Sequence, residues 1–588
     1  MKYMDLRDTI LMILTFACSF VCNAQGDTNI LMQESETVFE RDNKTTATYG
    51  EAITYYEELS MHKHVQMLAI GSTDSGYPLH EVVVTNDGVF DPQEISKAGK
   101  VVMLVNNAIH PGEPCGVDAS MMLARDLLAN RANLLEHAVV VIIPVYNIGG
   151  ALNRGKYSRA NQNGPEAYGF RGNAKNLDLN RDFIKSDSKN ARAFAMIYHK
   201  WKPQIFIDNH TSNGADYQYT MTLIPTQKDK LHPTLASHMS DRLLPSLYQK
   251  MEEKNYEMTP YVYAMHEIPD KGIMGFLDLS RYSSGYASLH HAISFMPETH
   301  MLKEYKDRVR STYAFMESML EYISKEYSEL LHNFKLAREQ SSYQNTWPLQ
   351  YELDKEDVGQ LTFKGFEAKY KTSGVTGMDR LYYDRSAPYT KSIPYYNTYK
   401  AAIQVDKPMA YVIPQAYSEI IELMELNGVE VQRLAADTVI ELDMYYIEDY
   451  SSTSKPYEGH YLHHSVEVKT ERQSVQFYKG DYKIVTDQVA NRYIVETLEP
   501  QGPDSFFAWN FFDGTLMQKE HFSAYVWEDL AADILAADKE LKAAYAAKLE
   551  IDEQFRTNAL AQLHFIYQHS NYHEPTYLRY PVGRLTVK

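Results

Sequence analysis

The sequence predicts an α/β fold with a mixed, mostly parallel central sheet flanked by helices, followed by a β-rich C-terminal region. Short continuous apolar runs, such as 101–105 and 205–208, are typical of strands buried on both faces of a sheet. Helical stretches separate these runs, and the alternation of strands with helices indicates an α/β domain. Beyond residue 350 the chain is richer in Tyr, Thr and Val, which favours strands.

The expected elements of the first part of the chain follow this alternating order and predict one domain over 25–335. A helix is expected near 51–62, after a lead-in segment. The elements that follow are strands at 65–71, 81–85 and 101–105, a helix at 116–129, a strand at 139–145, a helix at 188–201, a strand at 205–208, helices over 231–254, a strand at 291–297 and a helix at 302–326.

A break in the helical pattern at 340–348 predicts a boundary before a second, accessory region at 350–588. Its expected elements are strands at 361–372, 400–412 and 464–487, a βα unit over 410–428 and an acidic helical segment over 525–566. The aromatic content of this region suits either a domain packed on the first one or a surface that binds substrate or a polymer. The sequence leaves both alternatives open.

The composition indicates a globular protein. The chain has 588 residues, enough for two to four domains at about 100–200 residues each. Its 44% hydrophobic and 23% charged residues exclude a disordered or fibrous class. With 58 basic and 77 acidic residues the net charge is −19, and such a chain repels phosphate backbones. We therefore expect no nucleic-acid partner.

The N-terminus has the pattern of a secretory signal peptide over 1–24. Basic residues precede an apolar run at 10–21, and a small-x-Ala signal follows, with cleavage expected after Ala24. The run of about 12 residues is shorter than the roughly 20 needed to cross a bilayer, so we expect no membrane span in the mature chain. Cys115 is then the only cysteine left, which excludes a disulfide scaffold and indicates a bacterial periplasmic or extracellular protein.

Three chemically active side chains stand at the expected ends of strands. His110 and Glu113 lie between a strand and a helix, and His210 closes another strand. Two imidazoles and one carboxylate are a known catalytic zinc set that leaves a fourth position for water. Because the carboxyl ends of strands in such a sheet meet at a cleft, these side chains could share one Zn²⁺. Each pattern taken alone is more often structural.

Two further patterns supply groups for binding and proton transfer. Arg181 offers a planar fork that binds a carboxylate through two hydrogen bonds, and Asn180 adds a neutral donor. Asp178 could accept the second N–H of a zinc-bound histidine. Glu298 ends another strand, where a carboxylate can take a proton from water and pass it to a leaving amine. The alternatives are surface or strand-end salt bridges for Arg181 and Glu298.

This part of the sequence resembles the zinc metallocarboxypeptidase family over about residues 50–330. The family's motifs are matched in order by His110-x-x-Glu113, Asn180-Arg181, His210 and Glu298. The resemblance implies the zinc carboxypeptidase fold and one Zn²⁺ per chain, held by His110, Glu113 and His210. The implied reaction is hydrolysis that removes C-terminal residues from peptides.

The resemblance also implies roles for the other matched side chains. Glu298 would be the general base and the general acid of the reaction. Asn180 and Arg181 would bind the free C-terminal carboxylate of a peptide or peptide-like substrate. Asp178 would accept a hydrogen bond from the first zinc-binding histidine and orient it.

Two members of the implied site have more than one candidate. The family has an arginine that polarises the scissile carbonyl group, for which Arg159 is the first choice and Arg154 and Arg171 are the alternatives. The family also has a mobile tyrosine that contacts substrate, for which we prefer Tyr286 to Tyr282.

The sequence departs from the family at Gly112, where the best-known digestive members carry arginine. This departure concerns extended substrate contacts rather than the metal. Cys115, two residues after Glu113, is expected to be a buried, inert thiol rather than a ligand. The remaining alternative functions are deacylation of N-acyl amino acids, hydrolysis of cell-wall stem peptides on the same fold, and a non-catalytic binding protein.

Overall fold

A computed structural model describes residues 36–586 of the chain, so the predicted signal peptide at 1–24 lies outside the described residues. Within 36–586, no helix combines the length and the apolar character needed to cross a membrane. The helices are α1 (Val38–Asp42), α2 (Tyr49–Leu59), α3 (Pro92–Lys97), α4 (Cys115–Ala129), α5 (Ile148–Leu152), α6 (Lys189–Trp201), α7 (Pro233–His238), α8 (Leu244–Glu253), α9 (Ser283–Leu289), α10 (Tyr305–Ser341), α11 (Ser418–Leu426), α12 (Asn491–Leu498), α13 (Ala524–Ala537), α14 (Lys539–Ile551), α15 (Glu553–Arg556) and α16 (Ala559–Gln568). The strands are β1 (Val65–Ser72), β2 (Pro78–Val84), β3 (Val101–Asn106), β4 (Ala138–Ile143), β5 (Ile205–Asp208), β6 (His210–Ser212), β7 (Met221–Pro225), β8 (Met258–Pro260), β9 (Tyr263–Ala264), β10 (Ile273–Met274), β11 (Ile293–His300), β12 (Thr346–Leu353), β13 (Gly359–Thr372), β14 (Asp379–Tyr396), β15 (Tyr399–Asp406), β16 (Ala410–Ile413), β17 (Gln432–Arg433), β18 (Thr438–Ser452), β19 (His463–Phe477), β20 (Tyr482–Val485) and β21 (Gly583–Leu585).

A mixed, mostly parallel sheet forms the centre of the first part of the chain, in the order β1-β2-β4-β3-β5-β11-β7-β8. β4, β3, β5 and β11 run parallel to one another, whereas β1, β2 and β7 join antiparallel neighbours. β3, β4 and β5 are buried along their whole length, which explains their continuous apolar sequences. The predicted fold class is confirmed.

Helices cover both faces of this sheet, and α10, with 37 residues, packs against α4. The sequence predicts that this helix ends at 326. However, buried Leu330, Phe334 and Ala337 continue the helical spacing, and neither Gly nor Pro interrupts the stretch. The helix therefore runs past 335, where the first domain is predicted to end.

The C-terminal region is β-rich and carries a helical segment near its end, in agreement with the sequence. A six-stranded sheet has the order β17-β20-β16-β21-β18-β19. β13 and β14 form a long antiparallel hairpin, as do β18 and β19. β14 and β18 escape prediction; in β14, Pro388 and Pro394 interrupt the sequence signal of a strand. The helices α13 to α16 pack around a small apolar core of their own.

The C-terminal region shares a hydrophobic core with the first part of the chain. Phe194 of α6 and Tyr286 of α9 belong to the same buried cluster as Ile420 of α11 and Trp509. The opposite face of the central sheet packs on α4 and α10 in a separate cluster. The two regions are therefore joined by buried apolar contacts, whose burial stabilises the pair by about 25 cal/mol per Å² of apolar area.

Candidate active site

His110, Glu113 and His210 come together in one buried group. One ligand atom from each lies within 4.8 Å of the other two. His110 and Glu113 belong to the loop between β3 and α4, where the Glu113 amide donates to the His110 carbonyl oxygen. His210 begins β6, which pairs with β11. His110 and His210 are 100 positions apart in the sequence, and the parallel strands bring the group to one edge of the sheet.

The separations within this group are of the size expected between the ligands of one metal ion. His110 Nδ1 lies 3.3 Å from Glu113 Oε1, and His210 Nδ1 lies 3.1 Å from Glu113 Oε2. Two ligands about 2.0–2.1 Å from Zn²⁺ at a tetrahedral angle are about 3.3–3.4 Å apart. His110 and Glu113 are 3% exposed and His210 is 4% exposed. The donor set and its spacing therefore fit zinc.

A carboxylate behind each histidine determines which ring nitrogen faces the group. Asp178 Oδ1 lies 2.9 Å from His110 Nε2, and Asp208 Oδ2 lies 3.0 Å from His210 Nε2. With each Nε2 donating to its carboxylate, both Nδ1 atoms keep a lone pair for a metal. Burial opposes ionisation of Asp178, but His110 and Arg171 outweigh it and hold the pKa of Asp178 below its ordinary value. Asp208 was not predicted, although it stands two residues before His210.

Glu298 lies beside the three potential ligands on the neighbouring strand. The parallel pairing of β11 with β6 sets Glu298 opposite His210, and both side chains line one cavity of about 250 Å³. Burial raises the pKa of Glu298 to about 7 against the opposing charge of His210, and Glu113 adds to the rise. A carboxyl group that titrates near neutrality can accept and release a proton, as a general base and acid must.

Arg181 lines the same cavity with one edge of its guanidinium free. Nη1 donates to the Asn180 carbonyl oxygen at 2.7 Å, and Nε donates to the Tyr457 hydroxyl at 3.0 Å. The Tyr282 ring centre lies 4.4 Å from the guanidinium carbon. Nη2 donates to no acceptor within residues 36–586. It is therefore available to the carboxylate of a ligand.

Asn180 is oriented by its neighbours in a similar way. Its Oδ1 accepts from the Ser283 amide at 3.0 Å, and its own amide donates to Asp178 Oδ1 at 2.9 Å. The Nδ2 group has no acceptor among the described residues, and Asn180 lines the cavity. It can act as a neutral donor beside Arg181.

The three arginine candidates occupy different environments. Arg159 is 16% exposed, and it donates from Nη1 to Glu113 Oε1 at 2.7 Å and from Nη2 to the Thr211 carbonyl oxygen at 2.9 Å. Arg171 is 45% exposed, pairs with Asp178 and also lines the cavity. Arg154 donates to a backbone carbonyl oxygen and does not line the cavity. Arg159 lines the cavity as well, and the Arg171 guanidinium is engaged by Asp178 and by His110 Nδ1 at 3.3 Å. The two arginines differ in exposure, and Arg171 is the more accessible to a ligand.

The prediction of Tyr286 as a substrate contact is corrected by the structure. Tyr286 is 1% exposed, donates to Asn427 Oδ1 at 2.6 Å and lies 3.0 Å from His199 Nε2. It sits inside α9, which turns this side chain into the core. Tyr282, the alternative, immediately precedes α9 and lines the cavity. Both tyrosines stand shortly before Glu298 in sequence, so the spacing did not distinguish them.

The departure at Gly112 has a steric reason. A Cβ atom at this position would lie 2.7 Å from Arg159 Cδ, so the Arg159 side chain takes the space that a side chain at 112 would need. Cys115 is buried, and its sulfur lies 3.8 Å from the Thr211 hydroxyl and 3.7 Å from the Thr299 hydroxyl. It is outside the His-Glu-His group, as expected of a structural thiol.

The rest of the cavity wall has an apolar and aromatic part, formed by Ile224, Tyr261, Phe276 and Met296, and a polar part, formed by Thr211, Ser212 and Asn213. These residues were not predicted, because they belong to loops and strands without a motif of their own. The signal available in the sequence was only the richness in tyrosine. Tyr457, which holds Arg181 from the C-terminal region, is 276 residues from its partner and had no signal at all.

Parts of the chain are similar to known proteins. A family model described as zinc carboxypeptidase matches residues 53–323. Carboxypeptidase 2 of Trichophyton rubrum is 22% identical over 425 residues, which are 69% of this chain and 73% of that protein. Carboxypeptidase 2 of Trichophyton tonsurans is 21% identical over the same shares. Among solved structures, a metallo-carboxypeptidase from Burkholderia cenocepacia is 13% identical, covers 47% of this chain and 70% of its own, and has a TM-score of 0.35. Residues 53–323 therefore match a zinc carboxypeptidase domain, which is a family of peptide hydrolases.

Proposed function

We propose that the protein removes single residues from the free C-terminus of peptides, with one zinc ion held by His110, Glu113 and His210. One observation carries this proposal: the three-ligand group and Arg181 line the same cavity of about 250 Å³. A free carboxylate bound to Arg181 places the neighbouring amide near the ligand group. The reaction is therefore restricted to the chain end by position.

The chain's own residues would divide the chemistry among them. Zinc in such a ligand set supplies a polarised water and a Lewis acid for the carbonyl oxygen. Glu298 accepts the proton of the attacking water and returns it to the leaving amine, which its pKa near neutrality allows. Arg171 lines the cavity with its guanidinium partly exposed and would donate to the oxyanion, an effect worth roughly 3–4 kcal/mol for one donor.

The cavity wall favours an uncharged, apolar C-terminal residue. Ile224, Phe276 and Met296 offer apolar surface to the substrate side chain. Among the described residues that line the cavity, the acidic ones are Glu113, which would bind the metal, and Glu298, which would transfer the proton. A basic side chain at the C-terminus of a substrate would therefore have no further carboxylate to pair with in the cavity. We expect substrates that end in phenylalanine or leucine to be hydrolysed faster than those that end in lysine.

The test of this function combines zinc content with hydrolysis of an N-blocked dipeptide that ends in phenylalanine. The wild type and Glu298→Gln are compared with Glu448→Gln, which changes an exposed glutamate of β18. We expect bound zinc in all three and hydrolysis by the wild type and Glu448→Gln alone. Equal hydrolysis by Glu298→Gln would show that the base is a different group.

The same experiment separates the other substrate classes. If zinc is bound and the dipeptide is not cleaved, N-acyl amino acids and cell-wall stem peptides are the next substrates to test, because both carry a free carboxylate near the scissile amide. Zinc-free protein that binds these compounds without cleaving them would indicate a binding protein. We also propose export with cleavage after Ala24, for which N-terminal sequencing of the secreted protein should begin at Gln25.

A further inference from the structure

The loop at 453–462, which joins β18 to β19 in the C-terminal region, reaches the carboxylate-binding side of the cavity. The Tyr457 hydroxyl accepts from Arg181 Nε at 3.0 Å. The next residue, Glu458, accepts from the Asp178 amide through Oε2 at 2.7 Å. Asp178 in turn holds a metal-binding histidine, so this one loop touches both the arginine anchor and the support of the ligand group.

A buried polar network fixes the loop in this place. The Tyr457 ring stacks on Trp509, with the ring centres 6.1 Å apart and the planes at 19°. The Arg281 guanidinium lies 5.5 Å from the Tyr457 ring centre and 5.1 Å from that of Trp509. Arg281 Nε donates to Asp504 Oδ1 at 2.7 Å, and Asp504 also accepts from the Trp509 indole at 3.2 Å. Tyr457 is therefore presented to Arg181 by packed neighbours.

A second contact ties the other end of the loop to the same part of the first region. His460 Nε2 lies 2.7 Å from Asp187 Oδ2, and Asp187 also accepts from the buried Lys185 at 2.7 Å. The loop thus bridges the two regions at Glu458 and His460 as well as at Tyr457. Its position is set by several interactions besides the one with the arginine.

We propose that the C-terminal region completes the carboxylate-binding part of the active site, with Tyr457 as a positioning residue for Arg181. This inference rests on the proposed function. Arginine has a long side chain that loses rotamer freedom when it binds a ligand. Here the Asn180 carbonyl holds Nη1, the Tyr282 ring covers the face, and Tyr457 holds Nε, so the free Nη2 edge is oriented before substrate arrives.

Tyr457→Phe tests this role because it removes the acceptor and keeps the ring in its stack. In the zinc-loaded full chain we expect KM for a dipeptide with a free C-terminal carboxylate to rise about tenfold, since an arginine hydrogen bond is lost, while kcat stays within about twofold. Binding of free phenylalanine, measured by calorimetry, should weaken by the same factor of about ten. The amide of the same dipeptide should be hydrolysed equally by variant and wild type.

Tyr461→Phe is the matched control, since Tyr461 belongs to the same loop and is 53% exposed. We expect it to behave as the wild type. A variant Tyr457→Phe with unchanged KM and unchanged phenylalanine binding overturns the inference. Equal losses on the free and the amidated dipeptide, together with a lower melting temperature, would show a merely structural role and overturn it as well.

The failure of the proposed function looks different in the same assays. A wild type that neither cleaves the dipeptide nor binds phenylalanine overturns the proposed function, and this inference falls with it. If the wild type cleaves the dipeptide and binds phenylalanine, and Tyr457→Phe has the same KM and the same affinity for phenylalanine, only the inference is overturned.

Discussion

Replacing Arg181 by methionine removes the carboxylate anchor and keeps an unbranched side chain of similar reach. In the structure the Arg181 side chain is 21% exposed and its Nη2 group has no acceptor among residues 36–586, so a substrate carboxylate would meet a sheltered, unoccupied donor group. Hydrogen bonds that involve a charged group contribute about 1.5–3 kcal/mol each. Two such bonds correspond to a loss of about 10²- to 10⁴-fold in kcat/KM for Arg181→Met.

The assay compares an N-blocked dipeptide that has a free C-terminal carboxylate with its C-terminal amide. We expect Arg181→Met to lose kcat/KM on the free dipeptide by the factor above and to keep the wild-type value on the amide. Arg154→Met is the control, because Arg154 donates to the Thr46 carbonyl oxygen and does not line the cavity. An Arg181→Met enzyme that keeps about a tenth or more of the wild-type kcat/KM on the free dipeptide would refute the anchor.

Three further predictions concern pH and stability. Burial raises the pKa of Glu298 to about 7, and bound zinc would lower it from that value. We therefore expect kcat/KM to fall as the pH decreases through an apparent pKa at or below about 7. A pH profile that is flat from about pH 5 to 8 would contradict the role of this base. Arg281 is 7% exposed, and Asp504→Asn removes the carboxylate that pairs with it. We expect this change to lower the free energy of unfolding, measured by urea titration, by about 3 kcal/mol. A decrease below about 0.5 kcal/mol would contradict the importance of the pair. Gly116→Ala places a Cβ atom 2.4 Å from Asn107 Oδ1, behind the loop that carries His110 and Glu113. We expect it to lower the free energy of unfolding, measured by thermal scans, by about 1–3 kcal/mol. A gain in stability would show that the start of α4 can accommodate a methyl group.

The parts of the fold that the sequence predicted are those encoded locally. β3 and β5 are fully buried, so their apolar runs alone indicated strands, and His110 and Glu113 follow β3 within one loop. His210 could be added because it lies two residues after the end of β5. In a sheet with parallel neighbours, such strand ends must meet, which is why distant residues could be assigned to one group.

The rest depends on orientation and on long-range packing. Tyr282 and Tyr286 differ by one helical turn, and only the direction of α9 decides that the first lines the cavity and the second enters the core. Arg159 and Arg171 differ in which acceptors surround them, which spacing does not encode. Tyr457 reaches the site from the C-terminal region, across a contact that no local pattern indicates.

The most direct measurement of the central claim is the zinc content of purified, dialysed protein by mass spectrometry. The wild type and His266→Ala, which changes an exposed loop histidine, should each hold about one Zn²⁺ per chain, and His210→Ala should hold less than about a tenth of that. A wild type without stoichiometric zinc, or His210→Ala with the full amount, would contradict the assignment of His110, Glu113 and His210 to one metal.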